Sequence, residues 1–520
     1  MKKSATLKLA GVFSILAACG EGGGENPVAA PPLQSRSPLP STPFVNVTTA
    51  SNISFQTGHT RPALIVEQRA VTESTFGGAA AGDCDGDGDI DLFITYGNTG
   101  GPDGGGGPNR LYLNQLAEQG NGLLFEDTAD AAGVANTRAD GKGNDRHSGP
   151  TFADMDGDGD LDLFVGGLYS DPSHIYRNEG DCTFTDVTID SPDIVNMRAQ
   201  HTLSAGFGDY DLDGDLDMFL THWGTEDQLY GVPRVDETDH LWRNDFVESG
   251  VLRFVNVSEA SGLSSITWAT RDYPDSTQIA DHTFTATFAR LDDDPWPDIA
   301  IAADFGTTQV ALNNGDGTFR NLDEPALRNV QWGMGSALGD VDDDGDLDWF
   351  VTSIQGPGDM ETTPIGNRFY RNIGGAALFA DDTQAVGVSD GDWGWAACFL
   401  DIDNDGDLDI YHTNGWPAAF LGAAEGHYAN DRSRAFVQRA DGTFGNGAAA
   451  LGIGDDRSSR GVVCADFDND GDTDLLTLTN AAPNSALLWE NRSAAAGNNY
   501  LRVELTGTAP NPQAAGARIF

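Results

Sequence analysis

Asp83-Cys84-Asp85-Gly86-Asp87-Gly88-Asp89-Ile90-Asp91, followed at once by Leu92-Phe93-Ile94-Thr95, is the stretch whose reading decides the fold. The same loop and apolar run return from Asp154, Asp209, Asp340, Asp401 and Asp466. A worn copy, Leu291-Asp292-Asp293-Asp294-Pro295-Trp296-Pro297-Asp298, stands between the third and fourth intact ones. Carboxylates at positions 1, 3, 5 and 9 around a tight glycine turn suit a hard, oxygen-seeking cation. Calcium takes roughly six to eight oxygens at about 2.3–2.6 Å, and only a sharply curled loop gathers so many from one segment. Seven copies of one unit announce a repeat architecture.

Thirty of the 80 acidic residues occupy the odd positions of the six intact loops, so the net charge of −51 is in part a count of metal ligands. Such a charge argues against nucleic acid or an anionic membrane surface as partner. A hydrophobic content of 39% over 520 residues supports a sizeable core, and 65 Gly fit a loop-rich β protein.

Residues 1–19 read as a leader. Lys2 and Lys3 precede the apolar stretch Leu7–Ala18, which is too short to span a bilayer. It ends in Leu16-Ala17-Ala18-Cys19, similar to the lipobox of bacterial lipoproteins, in which the Cys carries the lipid. Gly20 after that Cys points to the outer membrane, and residues 20–43, rich in Gly, Pro and Ser, form a flexible tether. The expected location is therefore outside the cytoplasm, held to the envelope by an N-terminal lipid alone. Cys84, Cys182, Cys398 and Cys464 remain, either as disulfides, which export permits, or as buried thiols.

Each unit has one grammar. A Gly/Ala-rich strand enters the Asp loop, an apolar strand leaves it, and a strand such as Arg110-Leu111-Tyr112-Leu113-Asn114 or His174-Ile175-Tyr176-Arg177-Asn178 follows. A fourth closes the unit, as in Phe184-Thr185-Asp186-Val187-Thr188. Four short strands per repeat describe a propeller blade, and seven repeats predict an all-β, seven-bladed β-propeller over residues 44–492. Phe44-Val45-Asn46-Val47-Thr48 matches a fourth strand with nothing before it, so it should complete the last blade. EF-hands are excluded: their twelfth position is a bidentate Glu between helices, whereas here it is Ile94, Val165 and Leu220 in β-rich runs.

These loops and strands resemble the FG-GAP/VCBS repeat proteins, whose integrin-like propellers carry calcium in loops of this pattern. The ending, Asn499-Tyr500-Leu501-Arg502-Val503-Glu504-Leu505 through Gly516-Ala517-Arg518-Ile519, is similar to the start of the ASPIC/UnbV segment of cartilage-acidic-protein-like chains. Residues 493–520 cover that pattern incompletely.

The resemblance and the loop pattern together imply about six calcium sites. Their ligands would be Asp83, Asp85, Asp87, Asp89 and Asp91; Asp154, Asp156, Asp158, Asp160 and Asp162; and Asp209, Asp211, Asp213, Asp215 and Asp217. The later loops supply Asp340, Asp342, Asp344, Asp346 and Asp348; Asp401, Asp403, Asp405, Asp407 and Asp409; and Asp466, Asp468, Asp470, Asp472 and Asp474. The seventh position contributes its backbone carbonyl. In the fourth unit Arg290 replaces the first Asp and Pro295 the turn Gly, so weak or no metal binding is expected there.

Aligned on the loops, the entering strands begin near Thr75, Arg146, His201, His282, Trp332, Trp393 and Ser458, with His147 and Arg460 just inside. The leaving strands end near His222, Trp223, Asp304, Gln355, His412 and Asn414. All should ring one mouth of the channel, opposite the Asp loops. His147, His201, His222, His282 and Asp304 are the candidates for acid–base chemistry or a transition metal. Trp223, Trp332, Trp393, His412 and Arg460 are the candidates for holding a glycan, peptide or protein ligand. The leading expectation is a binding module. The alternatives are an enzyme (a lyase, or a metal-dependent hydrolase or cyclase) and a purely architectural envelope protein.

Overall fold

The computed structural model describes residues 6–10, 43–56, 77–97, 107–120, 122–136, 144–168, 171–197, 201–223, 240–264, 282–304, 306–329, 332–355, 366–375, 377–416, 428, 431–455, 457–479, 485–493, 502–508, 510–515 and 517. Cys19, the tether and Thr75 lie outside them.

Seven four-stranded antiparallel sheets form the blades of a propeller. The innermost strands are Ala79–Gly82, His147–Ala153, Thr202–Gly208, Thr283–Ala289, Ser336–Gly339, Gly394–Leu400 and Ser459–Ala465, in blades 1 to 7. Each packs on the next, and the seventh returns to the first. The ring closes as the sequence predicts. Phe44–Asn46 is the outer strand of blade 7, pairing Phe44 with Asn491 and Asn46 with Trp489.

No single core sits at the centre; one apolar cluster fills each seam between neighbouring blades. The second strands explain why. They are buried on both faces, so their side chains alternate between two seams rather than between core and water. Leu92 and Ile94 enter the seam with blade 7, while Phe93 enters the seam with blade 2. Met218 and Leu220 face blade 2, and Phe219 faces blade 4. Near the axis the inner strands approach too closely for side chains. A Cβ on Gly335 would stand 2.0 Å from the Trp395 carbonyl oxygen, and one on Gly206 2.6 Å from that of Ala286.

A polar clasp joins every blade to its neighbour. The ninth loop residue accepts two backbone N–H groups, one from the second loop residue and one from the end of the third strand. For Asp162 these come from Met155 (2.9 Å) and Asn178 (2.8 Å). The side chain of that same Asn178 then donates to the Cys84 carbonyl of blade 1 at 2.7 Å. Asn244, Asn313, Asn372, Gln438 and Asn491 likewise reach Met155, Tyr210, Leu291, Val341 and Ile402. Asn114 closes the circle on Phe467 of blade 7 at 2.8 Å.

Both pairs of cysteines bridge adjacent blades: Cys84–Cys182 joins blades 1 and 2, and Cys398–Cys464 joins blades 6 and 7. A separate two-stranded sheet pairs Thr6–Ala10 in parallel with Arg502–Thr506.

Asn178→Ala strands the buried Cys84 carbonyl and removes the bond to Leu161 as well. The expected loss is about 2–3 kcal/mol of unfolding free energy by denaturant titration, and a change under about 0.5 kcal/mol would deny the clasp its structural weight.

Candidate functional site

At one end of the ring stand the Asp loops. The first carboxylate shapes each intact loop: Asp83 accepts the N–H of Asp87 (3.1 Å) and of Gly88 (2.9 Å). Asp209, Asp340, Asp401 and Asp466 accept the N–H groups of their own fifth and sixth residues in the same way. The fourth residue then takes a left-handed turn, at φ 74° for Gly86 and 55° for Asn469. Oxygens of Asp83, Asp85 and Asp91 converge within 4.8 Å of one another, as do those of Asp154, Asp156 and Asp162.

Two observations fit a cation to this arrangement. Buried Oδ1 atoms of the third-position residues Asp156, Asp211 and Asp468 find no hydrogen-bond donor. An orphaned buried carboxylate oxygen is costly unless something positive meets it. Burial also pushes the ninth-position carboxyls up, Asp91, Asp162 and Asp409 to about 8 and Asp474 to about 9. A divalent ion is the natural counter-charge for groups that resist ionising where they stand. The seventh residues behave differently. One oxygen of Asp89 and one of Asp215 accept N–H groups of the short helices Leu116–Gln119 and Phe246–Ser249, while the other oxygen of each is buried without a donor.

Blade 5 departs from the pattern. A guanidinium enters its loop, that of Arg371 from the third strand of the same blade. Arg371 bonds Asp342 closely, lies 3.4 Å from Asp348, and is steadied by Asp382 at 3.0 Å. Arg177 and Arg243 occupy the same strand position in blades 2 and 3, but Glu179 and Asp245 draw them aside.

The opposite end carries the mouth residues, as the register predicts. Bridges Leu168–His201, Trp223–His282, Asp304–Trp332 and Ile354–Trp393 sew the end of each second strand to the start of the next blade. The histidines serve local partners. His147 meets Asn109 (3.0 Å) and Asn136 (3.4 Å) and packs edge-on to His174. His222 lies beside Thr202 and His240, His282 packs on Trp223, and His412 meets Asn367 at 3.3 Å. Burial lowers His201 and His412 to about 3 and holds His147 well below its ordinary value. Neutral throughout the physiological range, these three are poor acid–base groups.

A His/Asp convergence does form, from Asp145, His147 and His174. His174 also belongs to a repeated cross-strand pair. His174 bonds Asp186 at 2.9 Å, where Arg110 bonds Asp127 in blade 1 and Arg368 lies near Asp381 in blade 5.

The aromatic part of the mouth is larger than the sequence suggested. Trp393 stacks on Trp416 with centroids 4.5 Å apart and 15° between planes, and Trp416 stacks on Trp395 at 5.8 Å and 11°. Tyr428 closes one edge of Trp393. Arg460 lies 4.2 Å over Trp395 and donates to the Gly415 carbonyl and the Ser458 hydroxyl. Phe284 of blade 4 touches Trp395 of blade 6, so the cluster reaches past blade 5 toward the axis. On the other side Trp223 donates to Asp304 at 3.1 Å. Trp395 was missed because a β-bulge between Gly394 and Ala397 breaks the alternation that assigns strand residues to faces, and Trp416 and Tyr428 because they lie beyond the strand Asp409–Asn414, where no register assigns a face. The paired tryptophans of Trp393-Gly394-Trp395 were the available signal.

A family model described as the FG-GAP-like repeat matches residues 154–220, 290–351 and 414–477. The chain therefore carries FG-GAP-like repeats on a seven-bladed propeller, a fold suited to binding or interaction. No curated protein matches it. Among solved structures, an Agrocybe aegerita lectin, described as specifically recognising non-reducing terminal N-acetylglucosamine, shares 16% identity (TM-score 0.32; 78% of this chain, 75% of that one). The V. cholerae biofilm matrix protein Bap1 shares 11% (TM-score 0.36; 84% and 90%). The Dos1 propeller shares 9% (TM-score 0.36; 83% and 95%). Likeness this loose lends the chain no ligand.

Calcium returned to chelated protein should raise its melting temperature and fill the blade 5 loop last. Arg371→Leu should tighten that weakest site by about tenfold or more in calorimetric titration, since a competing charge at salt-bridge distance is removed. Equal affinity in both proteins would mean that Arg371 does not compete.

Proposed function

We propose that this chain is an exported, calcium-stabilised propeller of the bacterial cell envelope that binds a glycan, peptide or protein ligand at its aromatic mouth. The observation that carries the reading is Trp393, a half-buried ring resting on the stacked, buried Trp416 and Trp395. A rigid aromatic face with one side packed and the other open suits a sugar ring or a planar side chain, because little conformational freedom is lost on binding. Arg460 holds the stack from beneath; a desolvated cation–π contact of this kind contributes about 2 kcal/mol. The neutral, locally bonded His147, His201 and His412 favour binding over catalysis.

About six loop cations would serve as staples on the opposite face, with the blade 5 site the weakest. Orphaned third-position oxygens and raised carboxyls support that part of the reading. Export is supported by the leader pattern ending at Cys19 and by two bridges of the kind that persist in oxidising compartments. No described helix is long and apolar enough to cross a membrane, and attachment is assigned to a lipid on Cys19. Removing the leader takes away Thr6–Ala10, the partner of Arg502–Thr506, and opens that strand edge. Residues 493–520 are assigned as the incomplete beginning of an ASPIC/UnbV-like module.

Trp393→Ala should abolish retention of the wild-type ligand from a glycan and peptide array while leaving the melting temperature within a few degrees. Unchanged retention would move the site elsewhere. Cys19→Ala should shift the protein from the membrane pellet to the soluble fraction, and persistent pelleting with acylation would defeat the lipid anchor.

A further inference from the structure

The segment after the last blade lies against the propeller. Beyond the strand Arg502–Thr506, residues 507–515 fold into a turn knitted by its own hydrogen bonds. Gly507 N–H donates to Pro512 O (2.8 Å) and Asn511 N–H to Thr508 O (2.9 Å). The Asn511 side chain ties the far end, accepting from Ala515 N–H (2.9 Å) and donating to its carbonyl (3.0 Å). The turn thus presents a shaped face to what it rests on.

That face rests on the Asp loops of two neighbouring blades. Gln513 Nε2 donates to the carbonyl of Gly159, the sixth residue of the blade 2 loop, at 2.7 Å. Pro510 sits over Gly157 of blade 2 and Gly214 of blade 3. A Cβ on Gly157 would stand 2.5 Å from the Pro510 carbonyl oxygen, and one on Gly214 2.6 Å from its Cγ. Gly157 is the telling residue. The fourth loop position takes left-handed φ in each intact loop, yet Leu212, Asp343, Asn404 and Asn469 manage it with side chains, at φ between 55° and 58°. The loop itself does not demand glycine in blade 2. The room for Pro510 does.

We infer that the 507–515 turn is a latch that docks on the blade 2 and blade 3 loops in their cation-bound form, so that loop occupancy sets the order of the chain that follows the propeller. This rests on the calcium reading above. The atoms that receive the latch, on Gly157, Gly159 and Gly214, lie between ligand carboxylates, whose mutual repulsion a bound cation would relieve. The turn carries no charge of its own, so it matches a neutralised loop surface and gives nothing to a repelling one. Coupling of this kind is reciprocal: docking must strengthen ion binding as much as ions strengthen docking.

The test is hydrogen exchange of residues 502–517 in the full-length chain, with calcium and after chelation, beside calorimetric calcium titration. Chelation should speed exchange of the turn by about tenfold or more, the usual range of such coupling. Gly157→Asn places at position 4 the residue that blades 6 and 7 already carry there. It should speed exchange similarly in saturating calcium while leaving the calcium stoichiometry unchanged. If it alters the stoichiometry, Gln513→Ala, which touches no ligand, replaces it and should give the same acceleration. Calcium binding without any change in exchange overturns the latch and leaves the calcium reading intact. No calcium heat at all overturns the calcium reading, and the switching falls with it. Exchange unmoved by either variant shows that the contact does not hold the turn.

Discussion

Seven times around this ring, a buried carboxylate fixes a strand end so that the strand's last side chain can reach the neighbouring blade. The constraint is geometric. Asp162 takes the N–H of Asn178 and so sets its carboxamide facing the Cys84 carbonyl. A blade has no core of its own, since its second strand sends side chains into two different seams. Each blade therefore depends on both neighbours, as in any repeat array, but a closed ring has no end repeats to cap. The two ends of the propeller are joined by hydrogen-bonding Phe44–Asn46 into blade 7. The Asn114–Phe467 bond then seals the same seam at the loop end.

What could be read from the sequence follows from which features repeat. Asp loops at regular spacing, each followed by an apolar run, are visible one at a time, and so the blade count, the ring closure and the two opposite faces were legible. The clasp was present in the quoted strands, as the Asn that ends Arg110–Asn114 and His174–Asn178, but nothing in one strand says that its last side chain crosses a seam. Bridge partners were illegible for the same reason: Cys84 and Cys182 stand 98 positions apart and meet only because blades 1 and 2 are neighbours. Arg371 was overlooked because its strand position holds Leu113, Arg177, Arg243 and Leu312 in other blades, and the identity of the residue does not reveal which carboxylate it will choose.

The mouth is irregular where the loop end is regular, and the inner-strand bulges explain how. Register shifts recur near the start of the inner strands of blades 2, 3, 4, 6 and 7. The extra residues include Phe284, Trp395 and Arg460, all members of the aromatic cluster. A bulge releases one residue from the alternation without disturbing the ladder beyond it, so each blade can place a different side chain at the mouth while the loop end keeps its rule. The alignment on loop positions put Arg460 in the right place and left Trp395 out, because a bulge changes facing rather than height along the strand.

Blade 4 separates the role of the ions from the role of the clasp. Arg290 has replaced the first carboxylate, which in the intact loops accepts the N–H of the sixth residue, and that sixth residue is now Pro295, which has no N–H to give. Acceptor and donor have gone together, so no buried group is left unpaired. The ninth residue has not changed: Asp298 still takes the N–H groups of Leu291 (3.0 Å) and Asn313 (2.8 Å). Asn313 still reaches Tyr210, and Asn372 still reaches Leu291. A blade that lacks the first carboxylate of the loop pattern thus keeps its place in the ring through the clasp and its two apolar seams. Cations at the intact loops would then strengthen a ring that the clasp and the apolar seams already hold together, without the fold being staked on them.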